Sequence, residues 1–310
     1  MPKYYTQSEI YARIVVMKSI FTDDFPLIKT DQELQTLIKQ YSDYDVYYVA
    51  SGAIKERHDW FNFLYEKYYL YADSNFLSDL KKHFHQRTWE MYFGCVVLNL
   101  GIKLLSHKDN GPDLSFEYNS KKVWIECVAC EKGDGADKVP MMNYGVVESV
   151  PSDQMILRIT SVLREKRSKY EKYLNEGIVK KDNPFIIAIN GGVFGRPDGY
   201  IPLILRSLFA VGYPTISMSA DGKQTKHSIS IIPHIEKKNM SKVSTTFFLE
   251  KENDCISSVI YDNNLVINHS DILGKDIKIV HNAIARNHLP IDLFNSLKCY
   301  KVDERGGISL

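Results

Sequence analysis

Two carboxylates stand out by their surroundings. Asp113 enters the segment "GPDLSF", and Glu126 sits in the middle of "VWIECVAC". The second segment is apolar enough to be a buried strand, where an unpaired carboxylate costs on the order of several kcal/mol. A salt bridge, a metal ion or an opening to solvent must offset that cost. The polar stretch between the two segments reads as a hairpin tip. Asp113 and Glu126 then fall on neighbouring strands and approach each other where the sheet frays. Two carboxylates held close repel unless a cation neutralises them. Mg²⁺ accepts one or two carboxylates together with waters and substrate phosphates, and such a site suits metal-assisted hydrolysis of a phosphodiester.

Other elements must position these groups. Residues 86–101, "QRTWEMYFGCVVLNLG", carry Trp89, Phe93, Val96 and Leu100 at helical spacing, with Gly101 as the stop. Glu90 flanks that stripe and can face either way. "IKLLSH" reads as a strand leading into the hairpin. A Pro- and Gly-punctuated loop follows, then a long helix over residues 153–176, with Gly177 past its end. Ile156, Ile159, Leu163, Tyr170 and Tyr173 form its inward stripe. Lys166 lies on that stripe, whereas Lys169 and Lys172 lie off it. A lysine on a buried stripe either pairs with an acid on the sheet beneath or snorkels past the tyrosines into solvent. Arg158 and Arg164 on the same helix are candidates for phosphate contact; a solvated face shared with Glu165 and Glu171 is the plainer reading. "PFIIAIN", residues 184–190, is continuously apolar, as a strand covered on both faces would be.

The order is helix with Glu90, strand, strand entered by Pro112-Asp113, strand holding Glu126, helix, strand. In that order, and in the 13-residue step from Asp113 to Glu126, residues 80–190 resemble the PD-(D/E)XK nuclease superfamily. The dipeptide alone carries little: Pro197-Asp198 repeats it with no matching strand behind it. The resemblance implies an α/β fold of the restriction-endonuclease type, a mixed central sheet flanked by helices, here with an N-terminal helical layer. It implies Asp113 and Glu126 as ligands of Mg²⁺ or Mn²⁺, helped by the backbone carbonyl of Cys127, with Glu90 completing the shell. It implies nucleic acid, DNA or RNA, as substrate. One position departs from the pattern. The lysine that holds the attacking water belongs two residues after the strand glutamate, where this chain has Val128. Lys132 continues that strand face but lies about 20 Å further along. Lys166 is the better replacement, which makes Glu90, Asp113, Glu126 and Lys166 the candidate catalytic residues. A non-catalytic nucleic-acid- or protein-binding module on the same fold, its site decayed, is the alternative that Val128 favours. An unrelated α/β enzyme is a third.

The bulk numbers fit these readings without choosing among them. The chain has 310 residues, with 39 Lys+Arg against 38 Asp+Glu, so a nucleic-acid partner would need a local basic face. Five cysteines, an odd and scattered set, do not make a disulfide framework. Cys127 and Cys130 form a CxxC, but alternation puts them on opposite strand faces and nothing nearby completes a zinc site. No apolar run is long enough to cross a membrane, and no secretory signal is legible, so a soluble cytoplasmic protein is expected. Residues 1–75 read as a helical region and 76–310 as the α/β part, together one compact unit. Within the first region helices are expected at residues 8–21, "TDQELQTLIKQY" and "HDWFNFLYEKYYLY", the last with Trp60, Phe63, Leu64 and Tyr68 aligned as core. A small helix is expected at residues 201–210, and "HSISIIP", "STTFFLE" and "CISSVIY" are read as later strands.

Overall fold

A computed structural model describes residues 19–106, 110–143, 145–195, 199, 201–219, 221, 225–270, 272–302 and 308–309. The helix expected at residues 8–21 falls almost wholly outside them. The chain divides into two compact units, Met1–Cys95 and Val96–Leu310. The sequence pointed instead to one compact unit with an internal edge near residue 75. Helix propensity does not mark the division, because it falls inside a helix.

In the first unit, α1 (Asp31–Gln40) begins at Thr30, whose side chain accepts from the Glu33 amide while Glu33 reaches back, a complete capping box. Helices α2 (Val46–Ala53), α3 (Lys55–Tyr68) and α4 (Phe76–Leu80) follow, and α5 (Phe84–Asn99) runs across the division. The core is aromatic: Tyr48, Phe61, Tyr68, Phe76 and Phe84 are fully or almost fully buried. On α3 the buried stripe is Phe61, Leu64, Tyr65 and Tyr68. Phe63, placed in the core from spacing alone, is instead 43% exposed and stacks on Trp60.

The second unit is mixed α/β. Its seven-stranded sheet has the order β1 (Leu114–Tyr118), β2 (Lys121–Ala129), β3 (Phe185–Asn190), β8 (Ser258–Asp262), β9 (Lys278–His281), β10 (Lys298–Val302), β11 (Ile308–Ser309) among the described residues. β1 and β2 form an antiparallel hairpin whose tip, Asn119 and Ser120, takes positive φ at both residues, as a two-residue turn of this kind requires. β2 and β3 are parallel and therefore need a crossover, supplied by α6 (Ser152–Asn175). β3 pairs β8 in parallel, β9 is antiparallel to β8, β10 parallel to β9 and β11 antiparallel to β10, so the sheet is mixed. Buried side chains of α6 and α7 (Leu203–Phe209) form one core with those of β2, β3 and β8. β4 (Val211–Met218) with β5 (Thr225–Ile231), and β6 (His234–Glu236) with β7 (Lys242–Ser244), make two small hairpins. No helix among the described residues is long and apolar enough to cross a membrane.

Two expected strands differ. "IKLLSH" gives a single bridge, Leu104 to Phe116, with the Leu105 amide on the Ser115 carbonyl at 2.8 Å. "STTFFLE" leaves β7 after Ser244 and turns into a 3₁₀ segment, Phe247–Leu249. Phe247 and Phe248 are consecutive and both buried, which the two-residue alternation of a half-covered strand does not allow.

At the end of β8, Asp262 is fully buried with His269, Oδ2 to Nε2 3.2 Å. Burial pushes the Asp262 carboxyl up to about 7 and the His269 imidazole down to about 4. Between those values the folded pair binds one proton, on Asp262. The unfolded chain also binds one there, on histidine, so the two slopes cancel and the pair leaves stability nearly flat across this window. Single substitutions expose each slope. In His269→Asn, the raised carboxyl should make stability fall as pH rises from about 4 to 7, by about 4 kcal/mol at roughly 1.4 kcal/mol per pKa unit. In Asp262→Asn, the lowered imidazole should make stability fall as pH drops from about 6.5 to 4. Urea unfolding across pH reads both, and parallel profiles for the two variants would refute the opposed shifts.

Candidate functional site

The hairpin register ends beside both carboxylates. Leu114, the first residue of β1, pairs with Ile125, so Asp113 in the bend before it and Glu126 each lie one residue beyond the last pair. The amides of Trp124 and Cys130 donate toward the β3 side. By alternation the Cys127 amide and carbonyl face the other edge, where β1 has ended. Asp113 Oδ2 takes that amide at 2.7 Å. The carboxylate thus substitutes for a ladder acceptor the strand no longer offers. Asp113→Ala should cost about 1–3 kcal/mol for the stranded amide, and Asp113→Asn, which keeps an acceptor, clearly less. Equal losses on urea unfolding would show that the bond carries no weight.

Glu126 is 1% exposed, and α6 meets its carboxylate with three groups. Lys166 Nζ lies 3.1 Å and Lys169 Nζ 2.9 Å from Oε1, and the Tyr173 hydroxyl donates to Oε2 at 3.3 Å. Residues 166, 169 and 173 step by three and four, the spacing of one helix face. The sequence placed Lys166 here. Lys169, read as lying off the stripe, is corrected by the reach of its own stem: its side chain is 42% exposed and bends inward from the flank. Tyr173 was read only as core. Burial alone would lower the Lys169 ammonium, but the charge and hydrogen bond of Glu126 outweigh it and hold the group above its ordinary value. Burial and the same carboxylate raise the Tyr173 phenol. Glu165 lies 3.5 Å from Lys166 on the solvent side.

Asp113 opens onto a cavity of about 670 Å³. Its wall includes Ser115, Lys121, Lys122 and Trp124 of the hairpin and Lys180 from the turn after α6. The Lys122 ammonium sits 3.6 Å from the centre of the Trp124 ring, within cation–π range. Asp113, Glu117 and Asp182 on the same wall balance its three lysines, so the cavity is polar and of mixed charge.

The remaining candidates have partners of their own. Both oxygens of Glu90 are taken within the first unit, Oε1 by the Tyr68 hydroxyl at 2.7 Å and Oε2 by Arg87 at 2.9 Å. Burial raises the Glu90 carboxyl against the pull of Arg87. Arg158 Nε donates to the Glu131 carbonyl at 2.9 Å, and Arg164 Nη2 to the Ser244 carbonyl at 3.4 Å. Cys127 and Cys130 are buried, and burial pushes the Cys130 thiol up to about 12, as for a core cysteine. Lys132 lies against Met141. Among the described residues no three of His, Cys, Asp and Glu converge on a metal-binding group. Of the two strand carboxylates, Asp113 borders the open polar cavity, and Glu126 is held by Lys166, Lys169 and Tyr173.

No protein-family model, no curated protein and no solved structure matches this chain.

Proposed function

We propose that the chain is a metal-dependent phosphodiester hydrolase acting on nucleic acid. The observation that carries this reading is the Lys166 ammonium, 3.1 Å from the Glu126 carboxylate. A lysine in that place makes good the loss at Val128. The hairpin followed by a parallel crossover through α6 also agrees with the restriction-endonuclease-like arrangement that the sequence resembles.

Asp113 and Glu126 would hold Mg²⁺ or Mn²⁺, with the Cys127 carbonyl beside them. When bound, the ion supplies charge neutralisation at the phosphate and an acidified water. The chain's own groups do the rest. Lys166 donates hydrogen bonds to the attacking water and to a non-bridging phosphate oxygen. Tyr173 fixes the orientation of Glu126. Lys169, half in solvent, places a second positive charge beside Glu126. The lysines of the adjoining cavity give the strand's phosphates a place to lie.

A second reading rests on the completeness of the ion cluster. Two ammonium groups and a phenol already satisfy Glu126, as a structural cluster in a non-catalytic nucleic-acid- or protein-binding module would require. Incubating the protein with single- and double-stranded DNA and RNA, with Mg²⁺, with Mn²⁺ and with chelator, separates the two. The hydrolase reading expects cleavage that chelator and Asp113→Asn each abolish. Retention of nucleic acid without cleavage under any of these conditions favours the module.

A further inference from the structure

The cavity beside Asp113 has a neutral floor under a charged rim. Lys121, Lys180, Glu117 and Asp182 on its wall are exposed. Ser115, Trp124 and Asn183, also on the wall, are buried, at 6%, 7% and 7% exposure. Ser115 pairs with Trp124 across the β1–β2 hairpin, so their side chains stand on one sheet face. Asn183 reaches them from the turn before β3. Its Oδ1 accepts from the Trp124 indole Nε1 at 3.2 Å and from the Lys180 amide at 3.2 Å.

Two donors on one carbonyl oxygen fix which way round the Asn183 amide lies. Its NH₂ group is turned away from them and has no hydrogen-bond partner among the described residues. The Ser115 hydroxyl has none there either. Polar groups this buried are ordinarily paired. Two of them on the wall of one cavity mark a place where a ligand supplies the partners.

The floor carries no charge, and the opposite charges of the rim offset one another. The deepest part of the cavity therefore suits an uncharged polar group better than a phosphate. The locked Asn183 amide can only donate, and the Ser115 hydroxyl beside it donates or accepts. That pattern matches the edge of a nucleobase, where carbonyl and ring-nitrogen acceptors lie side by side. The Lys122 ammonium covers the Trp124 ring at 3.6 Å, so a base would be read at its edge and not by stacking. A volume of about 670 Å³ is that of a pocket for one small ligand, and a base in a duplex must leave its stack to enter one. We infer that this cavity holds one unpaired base of the strand, with Asn183 and Ser115 as its contacts, and that the preferred substrate is single-stranded nucleic acid. The ligand class rests on the hydrolase reading; the binding does not require cleavage.

Fluorescence anisotropy of labelled dodecamers, in chelator and at one ionic strength, tests the assignment. The probes are a single strand, its blunt duplex, and the same single strand with abasic residues in place of its bases. The wild type should bind the natural single strand about tenfold or more tighter than either of the others. Asn183→Asp keeps the acceptor for Trp124 and Lys180 and removes the donors, and Ser115→Ala removes only the hydroxyl. In each, the preference for the natural over the abasic strand should shrink several-fold, a ratio that cancels any general effect of the added charge. Ser115→Ala decides the matter if Asn183→Asp does not fold. Equal binding of natural and abasic strands, or of single strand and duplex, overturns the inference, as does a preference that neither substitution alters. Metal-dependent cleavage of duplex without that preference would sink the base pocket and leave the hydrolase reading standing. Base-dependent binding with no cleavage under any metal would do the reverse, and a wild type that binds no strand at all loses both.

Discussion

Lys166→Met should lower metal-dependent cleavage by about 10²–10³-fold, the usual loss when one preorganised donor to a developing oxyanion is removed. Methionine keeps the length of the stem, so packing against Ile159, Leu163 and Tyr170 is largely preserved. Metal affinity should move the other way. The ammonium 3.1 Å from Glu126 competes with any cation for the same oxygen, and its removal should tighten Mn²⁺ binding. Lys169→Met should lose less activity, because its charge is 42% exposed and screened. The split between the two readouts is what matters. A purely structural lysine would affect folding but would have no reason to raise metal affinity while lowering cleavage. Calorimetry and a cleavage assay on the same preparations check it. Equal losses in the two lysine variants would assign no special role to Lys166.

The second large effect is on stability. Glu126→Leu leaves Lys166, 7% exposed, as a buried ammonium without its strongest partner. Removing one side of a buried ion pair in this way typically costs about 3–5 kcal/mol. The double variant Glu126→Leu/Lys166→Met replaces both charges with apolar groups of similar size and should recover most of that loss. Its metal binding and cleavage should both stay absent. Urea unfolding of the two single variants and the double variant gives the coupling directly. Additive losses would mean that the two groups do not act as a pair.

What was legible in the sequence was mainly local. The Asp113–Glu126 pair could be read because a hairpin fixes register over a few residues, and the polar tip marked the turn. α6 could be read because Ile156, Ile159, Leu163 and Tyr170 repeat at helical spacing, with Lys166 at a position in the same series. Lys169 and Tyr173 escaped because a stripe describes where side chains start, and these two long side chains end elsewhere. The series 166, 169, 173 was the available signal, legible only once a carboxylate was assumed beneath the helix. Glu90 is the opposite case. Its spacing on α5 said nothing about Arg87 and Tyr68, which occupy both of its oxygens. The division at residue 95 was hidden because α5 continues through it.

The central claim is that Asp113 and Glu126 form one divalent-cation site with α6 closing over it. Calorimetric titration of Mn²⁺ and Mg²⁺ into the wild type, Asp113→Asn and Glu126→Gln tests it most directly, since both substitutions keep size and remove one charge. One saturable site in the wild type that each substitution abolishes, in protein that stays folded by circular dichroism, is the expected result. A wild type that is folded and binds neither ion would contradict the account and leave the cluster around Glu126 as a structural one.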